Sequence, residues 1–189
     1  MAWRPVAVAA AAVVTCSALS VPPALDLFVA GEPPDVAVYR IPALVRTSRG
    51  TLVAIAEART TLTSDCDYKW LAFRRSTDNG TTWSDVAELW GKNLTHGSGA
   101  GNPAVVFDNV TGHIILHGSV NDPSHCSPSL WNFQLDDGGS DGAVWGGLRN
   151  ITADIFPYAG ATPGPGTGTQ LGPDSPAPGR LIIAAHYGA

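Results

Sequence analysis

Charge is scarce in this chain. Charged residues make up only 14% of the 189, and lysine plus arginine number 11 against 16 acidic residues, for a net charge of -5. No cluster of basic residues appears anywhere along it, which argues against nucleic acid as a partner. Cysteine is limited to three, methionine to one. No apolar run reaches the roughly 20 residues that a membrane-spanning helix needs. After the first twenty residues no convincing amphipathic helix can be drawn either. What the chain has in quantity is glycine (21) and proline (15), within a composition that is 44% apolar. That composition is globular, rich in turns and poor in long helices.

The N-terminus differs from the rest. Arg4 precedes the small apolar run Val6–Val14, and small residues around Ala18 suit a signal peptidase. Residues 1–20 therefore read as a secretory signal, leaving 21–189 as the mature portion. Sequons at Asn79, Asn93, Asn109 and Asn150 agree with a secretory compartment. Cys16 would leave with the signal, while Cys66 and Cys126 would remain either as a bridge or as two thiols.

Beyond a Pro-rich lead, short β segments alternate with turns. The spacing predicts strands at Ile41–Thr47, Thr51–Ala58, Trp70–Arg75, Val105–Asp108, His113–Gly118, Leu130–Leu135, Val144–Leu148 and Arg180–His186. Gly160–Gly179, dense in proline and glycine, reads as a long loop. Such a pattern suggests an all-β sandwich, barrel or propeller. The stretch Ser76–Trp83 has a degenerate counterpart in Asp136–Gly139 followed by Trp145. A repeat on this scale favours a propeller, in which residues 21–189 would make about three blades. Because a propeller must close to protect its edges, the chain is expected to be the front part of a longer protein.

Ser76–Trp83 fits Ser-x-Asp-x-Gly-x-Thr-Trp. Asp78 can cap amides of its own turn, Gly80 can supply a positive φ, and Trp83 can pack back over the hairpin. Before it come Tyr39-Arg40-Ile41-Pro42, Gly50-Thr51-Leu52, Ala56-Glu57-Ala58-Arg59, Ser64-Asp65 and Arg74-Arg75-Ser76. After it come Asn102–Asp108, Thr111-Gly112, Pro163–Gln170 and Gly179–Ile182. In order and spacing these resemble the exo-α-sialidases (neuraminidases), over about residues 36–188 with a poorly matched stretch at 120–155. The Pro-Gly-Pro-Gly segment and the leader look most like the lysosomal-type or a secreted bacterial-like branch.

The resemblance implies an incomplete six-bladed β-propeller whose Ser76, Asp78, Gly80 and Trp83 form an Asp box. It implies hydrolysis of terminal sialic acid from glycoproteins, oligosaccharides and gangliosides, with no metal or other cofactor, in the lysosome or outside the cell. Sialic acid carries a carboxylate on its anomeric carbon, and arginine suits such a group because it is planar, permanently charged and bidentate. By resemblance, Arg40 belongs to the carboxylate-binding arginines, Arg59 lies in the same pocket, and Asp65 is the general acid/base, with Asp67 the competing candidate. Glu57 reads as structural, paired with an arginine such as Arg75, and Arg74 and Arg75 as serving the fold. The five histidines show no metal-binding spacing.

Sialidases use a tyrosine nucleophile in place of the usual second carboxylate. In the family that tyrosine, its glutamate and two further arginines come late in the chain, and Tyr158 and Tyr187 stand in the wrong context to replace it. The 189 residues alone are therefore expected to have little or no activity. Two other readings compete: a non-catalytic sialic-acid-binding propeller, and a structural or sorting protein carrying Asp boxes.

Overall fold

The computed structural model describes residues 24–62, 64–94, 98–121, 131–155 and 161–186. The leader at 1–20, Cys126, Tyr158 and Tyr187 lie outside the described residues. Within them the chain is all strand and turn, without a helix, and no helix is long and apolar enough to cross a membrane.

Two antiparallel sheets dominate. The first runs β1 (Val38–Arg46), β2 (Leu52–Arg59), β3 (Lys69–Ser76) and β4 (Ala87–Trp90), each strand beside the next. The second repeats the meander with β5 (Gly99–Phe107), β6 (Ile114–Asn121), β7 (Trp131–Asp136) and β8 (Gly146–Asn150). Five two-residue strands follow: β9 (Thr162–Pro163), β10 (Gly166–Thr167), β11 (Thr169–Gln170), β12 (Leu181–Ile182) and β13 (Ala185–His186). β10 adds in parallel to the free edge of β5, while β11 pairs with β12 and β9 with β13.

The strands are longer at most ends than turn chemistry alone suggests, because each continues while its neighbour can still accept hydrogen bonds. β4 was not expected: Ala87-Glu88-Leu89-Trp90 is short and mixed, and only its pairing to β3 fixes it. The expected loop at 160–179 contains three of the short strands, and the expected final strand divides into two.

The core lies between the sheets. Val53, Ile55 and Leu71 from the first meet Val105, Ile114, Leu116 and Phe133 from the second, all essentially inaccessible. Trp90 and Phe133 sit 4.3 Å apart, with Trp131 edge-on to both. Aromatic pairs of this kind each add about 0.5–1.5 kcal/mol beyond the area they bury.

Two bulges relate the sheets. In β1 the register shifts between Arg40 and Ala43, where Ile41 takes φ +53° before Pro42. In β5 it shifts between Gly101 and Ala104, where Asn102 takes φ +53° before Pro103. A β-branched residue in this region of φ is unusual, and bulges bend a strand and re-aim the adjacent side chains. Arg40 and Gly101 thus occupy corresponding places in the two meanders.

Candidate functional site

Alternation along a strand puts Glu57 and Arg59 on one face of β2. Arg40 lies directly opposite Glu57 in β1, and Lys69 directly opposite Arg59 in β3. Residues opposite one another in adjacent strands share a face. Four charged side chains from three strands are thereby gathered at one end of the first sheet. They line a cavity of about 280 Å³ together with Ile41, Asp65, Asn102 and Asn121.

Glu57 and Arg59 form the enclosed wall. The Glu57 side chain is 1% exposed and that of Arg59 is 5%. Glu57 Oε2 accepts from Arg59 Nε at 2.8 Å and from Nη2 at 2.5 Å, and Oε1 accepts from the backbone N–H of Asn102 at 2.8 Å. The expected partner was Arg75. That arginine instead donates to the backbone oxygen and carboxylate of Asp141, at 2.7 and 3.0 Å. The reason is positional: Arg59, two residues on, shares the face of Glu57, whereas Arg75 is opposite Val53 further along the sheet.

Asp65 closes the site. Its Oδ1 accepts from Arg40 Nη1 at 3.1 Å and from Arg59 Nη1, while its side chain remains 69% exposed. The hydrogen bond from Arg59, with the charges of Arg59, Arg40 and Lys69, outweighs the opposing effect of burial and holds the carboxyl below the usual aspartate range. Burial opposes the charge on Arg59, but its bonds to Asp65 and Glu57 outweigh that and raise its pKa. Burial pushes Lys69 down, opposed mainly by Glu57. Three cations face two carboxylates, so the cavity has a positive surplus suited to an anionic ligand.

Arg40, Arg59 and Asp65, singled out from the sequence, therefore meet around one cavity. Asp67 points elsewhere and accepts from Thr61 Oγ1. Cys66, beside Asp65, is held in a disulfide. Lys69, Asn102 and Asn121 were not anticipated. The lysine could have been found by alternation, since it falls two residues before the buried Leu71 and immediately before the strand expected at Trp70–Arg75.

The residues of the turn motif form a separate structural unit. Ser76 Oγ donates to Asp78 Oδ1 at 2.8 Å and accepts from Gly80 N–H at 2.9 Å. Asp78 accepts from Thr82 N–H and Oγ1 at 2.9 and 2.7 Å, and Trp83 Nε1 donates to Gly80 O at 3.1 Å. The Thr82 side-chain bond, then the Thr82 amide and Ser76, lower the Asp78 pKa to about 2. Gly80 adopts φ +87°. The degenerate counterpart around Asp137 occupies the corresponding turn between β7 and β8, where Asp137 accepts from the amides of Ile114, Gly139 and Gly142.

Among the described residues no group of three or more metal-ligating side chains is present. His113 pairs with Asp136 at 2.9 Å and His117 Nε2 lies 3.2 Å from Gln134 Oε1. Both line a separate groove of about 540 Å³ that shares no residue with the cavity of Arg40 and Asp65.

No protein-family model matches the chain. It is 31% identical to the sialidase of Micromonospora viridifaciens over 160 residues, covering 76% of this chain and 24% of that protein. It is 30% identical to an exo-alpha-sialidase of Arthroderma benhamiae over 175 residues, covering 77% of this chain and 42% of that protein. Among solved structures it resembles a Hadza microbial sialidase with a TM-score of 0.66 at 25% identity, over 80% of this chain and 32% of that one. An intramolecular trans-sialidase from Ruminococcus gnavus matches with a TM-score of 0.68 over 85% of this chain and 58% of that one, a likeness of fold at 15% identity. The chain spans between about a quarter and two-fifths of the length of these curated relatives. These similarities support the sialidase family, and the branch within it is not determined.

Proposed function

We propose that this chain forms the acid-bearing side of an exo-α-sialidase site, with Arg40 receiving the carboxylate of a terminal sialic acid, Arg59 lining the same pocket near the sugar's O4 side, and Asp65 serving as general acid/base. The observation that carries the reading is the convergence of these three side chains on one positively surplus cavity. The similarity to sialidases supplies the substrate class. We read the two meanders as successive blades of a six-bladed propeller and Ser76–Trp83 as an Asp box. We assign the Cys66 bridge to Cys126, and we place the mature protein in the secretory pathway, in a lysosome or outside the cell, acting on sialylated glycoproteins, oligosaccharides or gangliosides.

Asp65 must hold a proton to act as an acid, yet at rest Arg59 keeps it ionised. A bound sugar that takes over the two guanidinium groups, its carboxylate at Arg40 and its O4 side at Arg59, would release Asp65 from them. Covering the carboxyl with a sugar would desolvate it, and both effects raise its pKa toward a donating range. Substrate binding and acid protonation are then coupled.

No tyrosine lines this cavity among the described residues. Tyr39 and Tyr68 each spend their hydroxyl on a backbone oxygen, of Glu32 and Lys92, at 2.6 Å. This observation favours binding without turnover as the second reading, and for the 189 residues alone we expect little or no hydrolysis. N-acetylneuraminic acid titrated into the chain, followed by NMR, tests the proposal. Binding should be lost on Arg40→Ala and with the methyl ester of the sugar, and retained in Asp65→Asn. Equal binding of acid and ester would remove the carboxylate clamp. Clear release of a fluorogenic aglycone by the chain would remove the expectation of inactivity.

A further inference from the structure

Lys69 is 2% exposed, and a cation so enclosed requires compensating partners because desolvation opposes its charge. Room has been left for it in β5. A Cβ on Gly99 would stand 2.7 Å from Lys69 Cγ, and one on Gly101 would stand 2.7 Å from Lys69 Cε. Neither distance is tolerable, so the lysine stem occupies a slot that exists because two alternate residues of β5 lack side chains.

From that slot the ammonium donates to the backbone carbonyl of Asp65. Asn121 Nδ2, from β6, donates to the same oxygen at 3.3 Å. One acceptor in an exposed loop is thus held by two donors from two different sheets. Asn121 makes this contact at a cost. Its Oδ1 is buried without a hydrogen-bond partner among the described residues, and the residue is only 6% exposed. Turning the amide over would set that oxygen against the Asp65 carbonyl, so the orientation serves Asp65 and leaves Oδ1 unsatisfied. Buried unsatisfied acceptors are uncommon and call for a reason. The charged groups facing Lys69 are Glu57 and Arg59 from β2, Arg40 from β1, and Asp65 and Asp67 from its own loop.

We propose that Lys69 is a positioning residue: with Asn121 it fixes the backbone of residue 65, so that the Asp65 carboxyl stands between Arg40 and Arg59 independently of the rest of its loop. The inference deepens the reading of Asp65 as the acid and rests on it for its meaning, but its test reads the backbone directly.

The test is carbon-detected NMR of the labelled 189-residue chain, following the backbone carbonyl and side-chain carboxyl of Asp65 across a pH titration. Lys69→Met removes the charge and keeps the stem; Asn121→Ala removes the second donor without touching any charge. Both should move the Asp65 carbonyl resonance upfield, as expected for a lost hydrogen bond, and both should raise the midpoint of its carboxyl titration. Signals from β7 serve as the check that the fold persists. A midpoint that moves in Lys69→Met while Asn121→Ala leaves both signals in place would reduce Lys69 to a distant charge and overturn the proposal. Unmoved signals in both variants would overturn it too. Should Lys69→Met fail to fold, Asn121→Ala decides alone by the same two signals. Binding of N-acetylneuraminic acid is measured separately on the unaltered chain. Its absence would end the sialic-acid reading and leave the Asp65 shifts to judge Lys69.

Discussion

Replacing Glu57 by glutamine takes one negative charge out of the most enclosed part of the cavity while keeping shape and volume. The two oxygens of Glu57 have separate duties: Oε2 accepts from Nε and Nη2 of Arg59, and Oε1 accepts from the Asn102 amide. A glutamine has one oxygen and one NH₂, so either orientation sets a donor against a donor. If the oxygen faces Arg59, the Asn102 amide is orphaned; if it faces Asn102, the guanidinium meets an NH₂. Arg59, with a side chain only 5% exposed, would then depend on the largely exposed Asp65 for its counter-charge. Removing one partner of a buried ion pair costs about 3–5 kcal/mol, against about 0–1 kcal/mol for an exposed pair. Set against a typical domain stability of about 5–15 kcal/mol, Glu57→Gln should fold but unfold early. At about 2–4 °C per kcal/mol for a chain of this size, the thermal midpoint should fall by about 6–20 °C. Urea unfolding followed by the fluorescence of the six tryptophans measures the loss directly. Asp154→Asn, which breaks the exposed pair with Arg149 at 2.8 Å, is the internal comparison and should cost under about 1 kcal/mol. A loss for Glu57→Gln no larger than that of Asp154→Asn would refute the claim that Glu57 and Arg59 form a buried, mutually dependent pair.

Gly101→Ala places a Cβ 2.5 Å from Glu57 Oε1 and 2.7 Å from Lys69 Cε, and overpacking of this kind costs about 1–3 kcal/mol. Its urea midpoint should drop, whereas Gly112→Ala, at a turn with open space, should lose only the strain of its positive φ; equal stability of Gly101→Ala and the parent would show the slot to be loose. Asp78, held at about 2, has a depressed folded pKa, so its contribution is present above the unfolded value of about 3.9 and is lost as pH falls through about 2. The stability difference between the parent and Asp78→Asn should therefore shrink as pH is lowered from about 5 to about 2; a difference constant over that interval would contradict the assigned hydrogen bonds.

The strands were legible because apolar alternation and Gly, Asn and Asp turns coincide in this sequence. The first meander was placed to within a few residues for that reason, as at Leu52–Arg59. β4 escaped because four residues carry too little periodicity to announce themselves. The three short strands between residues 162 and 170 escaped because they lie in a segment whose prolines and glycines normally punctuate but here accompany pairs made with distant partners. In the site, Arg40, Arg59 and Asp65 were reachable only through resemblance, since nothing local tells a strand-end arginine in a cavity from one in water. Lys69 was passed over: a lysine at a strand start gives little sign of burial when that burial depends on glycines about thirty residues away. Glu57 was expected to pair with an arginine such as Arg75, and it does pair with an arginine, Arg59; alternation puts both arginines on its face, and only the register, which sets Arg75 four residues further along opposite Val53, separates them. The corresponding bulges at Ile41-Pro42-Ala43 and Asn102-Pro103-Ala104 were present in the sequence as a second internal repeat, visible as such only once both registers are known.

The division of the site between the sheets has a mechanical consequence. Arg59 is anchored directly by Glu57, two residues away in its own strand, and meets the second sheet only at one remove, through the Asn102 amide on Glu57. Asp65 depends on both sheets: its backbone is held by Lys69 from the first and by Asn121 from the second, and the lysine lies in a slot cut into the second. The distance between the sheets is fixed by the apolar core of Ile55, Leu71, Val105 and Phe133. Packed cores resist small displacements because their interiors are as dense as organic crystals. A disturbance of that core therefore reaches the carboxyl of residue 65 before it reaches the guanidinium of residue 59. The chemistry asks for that order of robustness, since a binding cation tolerates a loose fit and a proton donor does not.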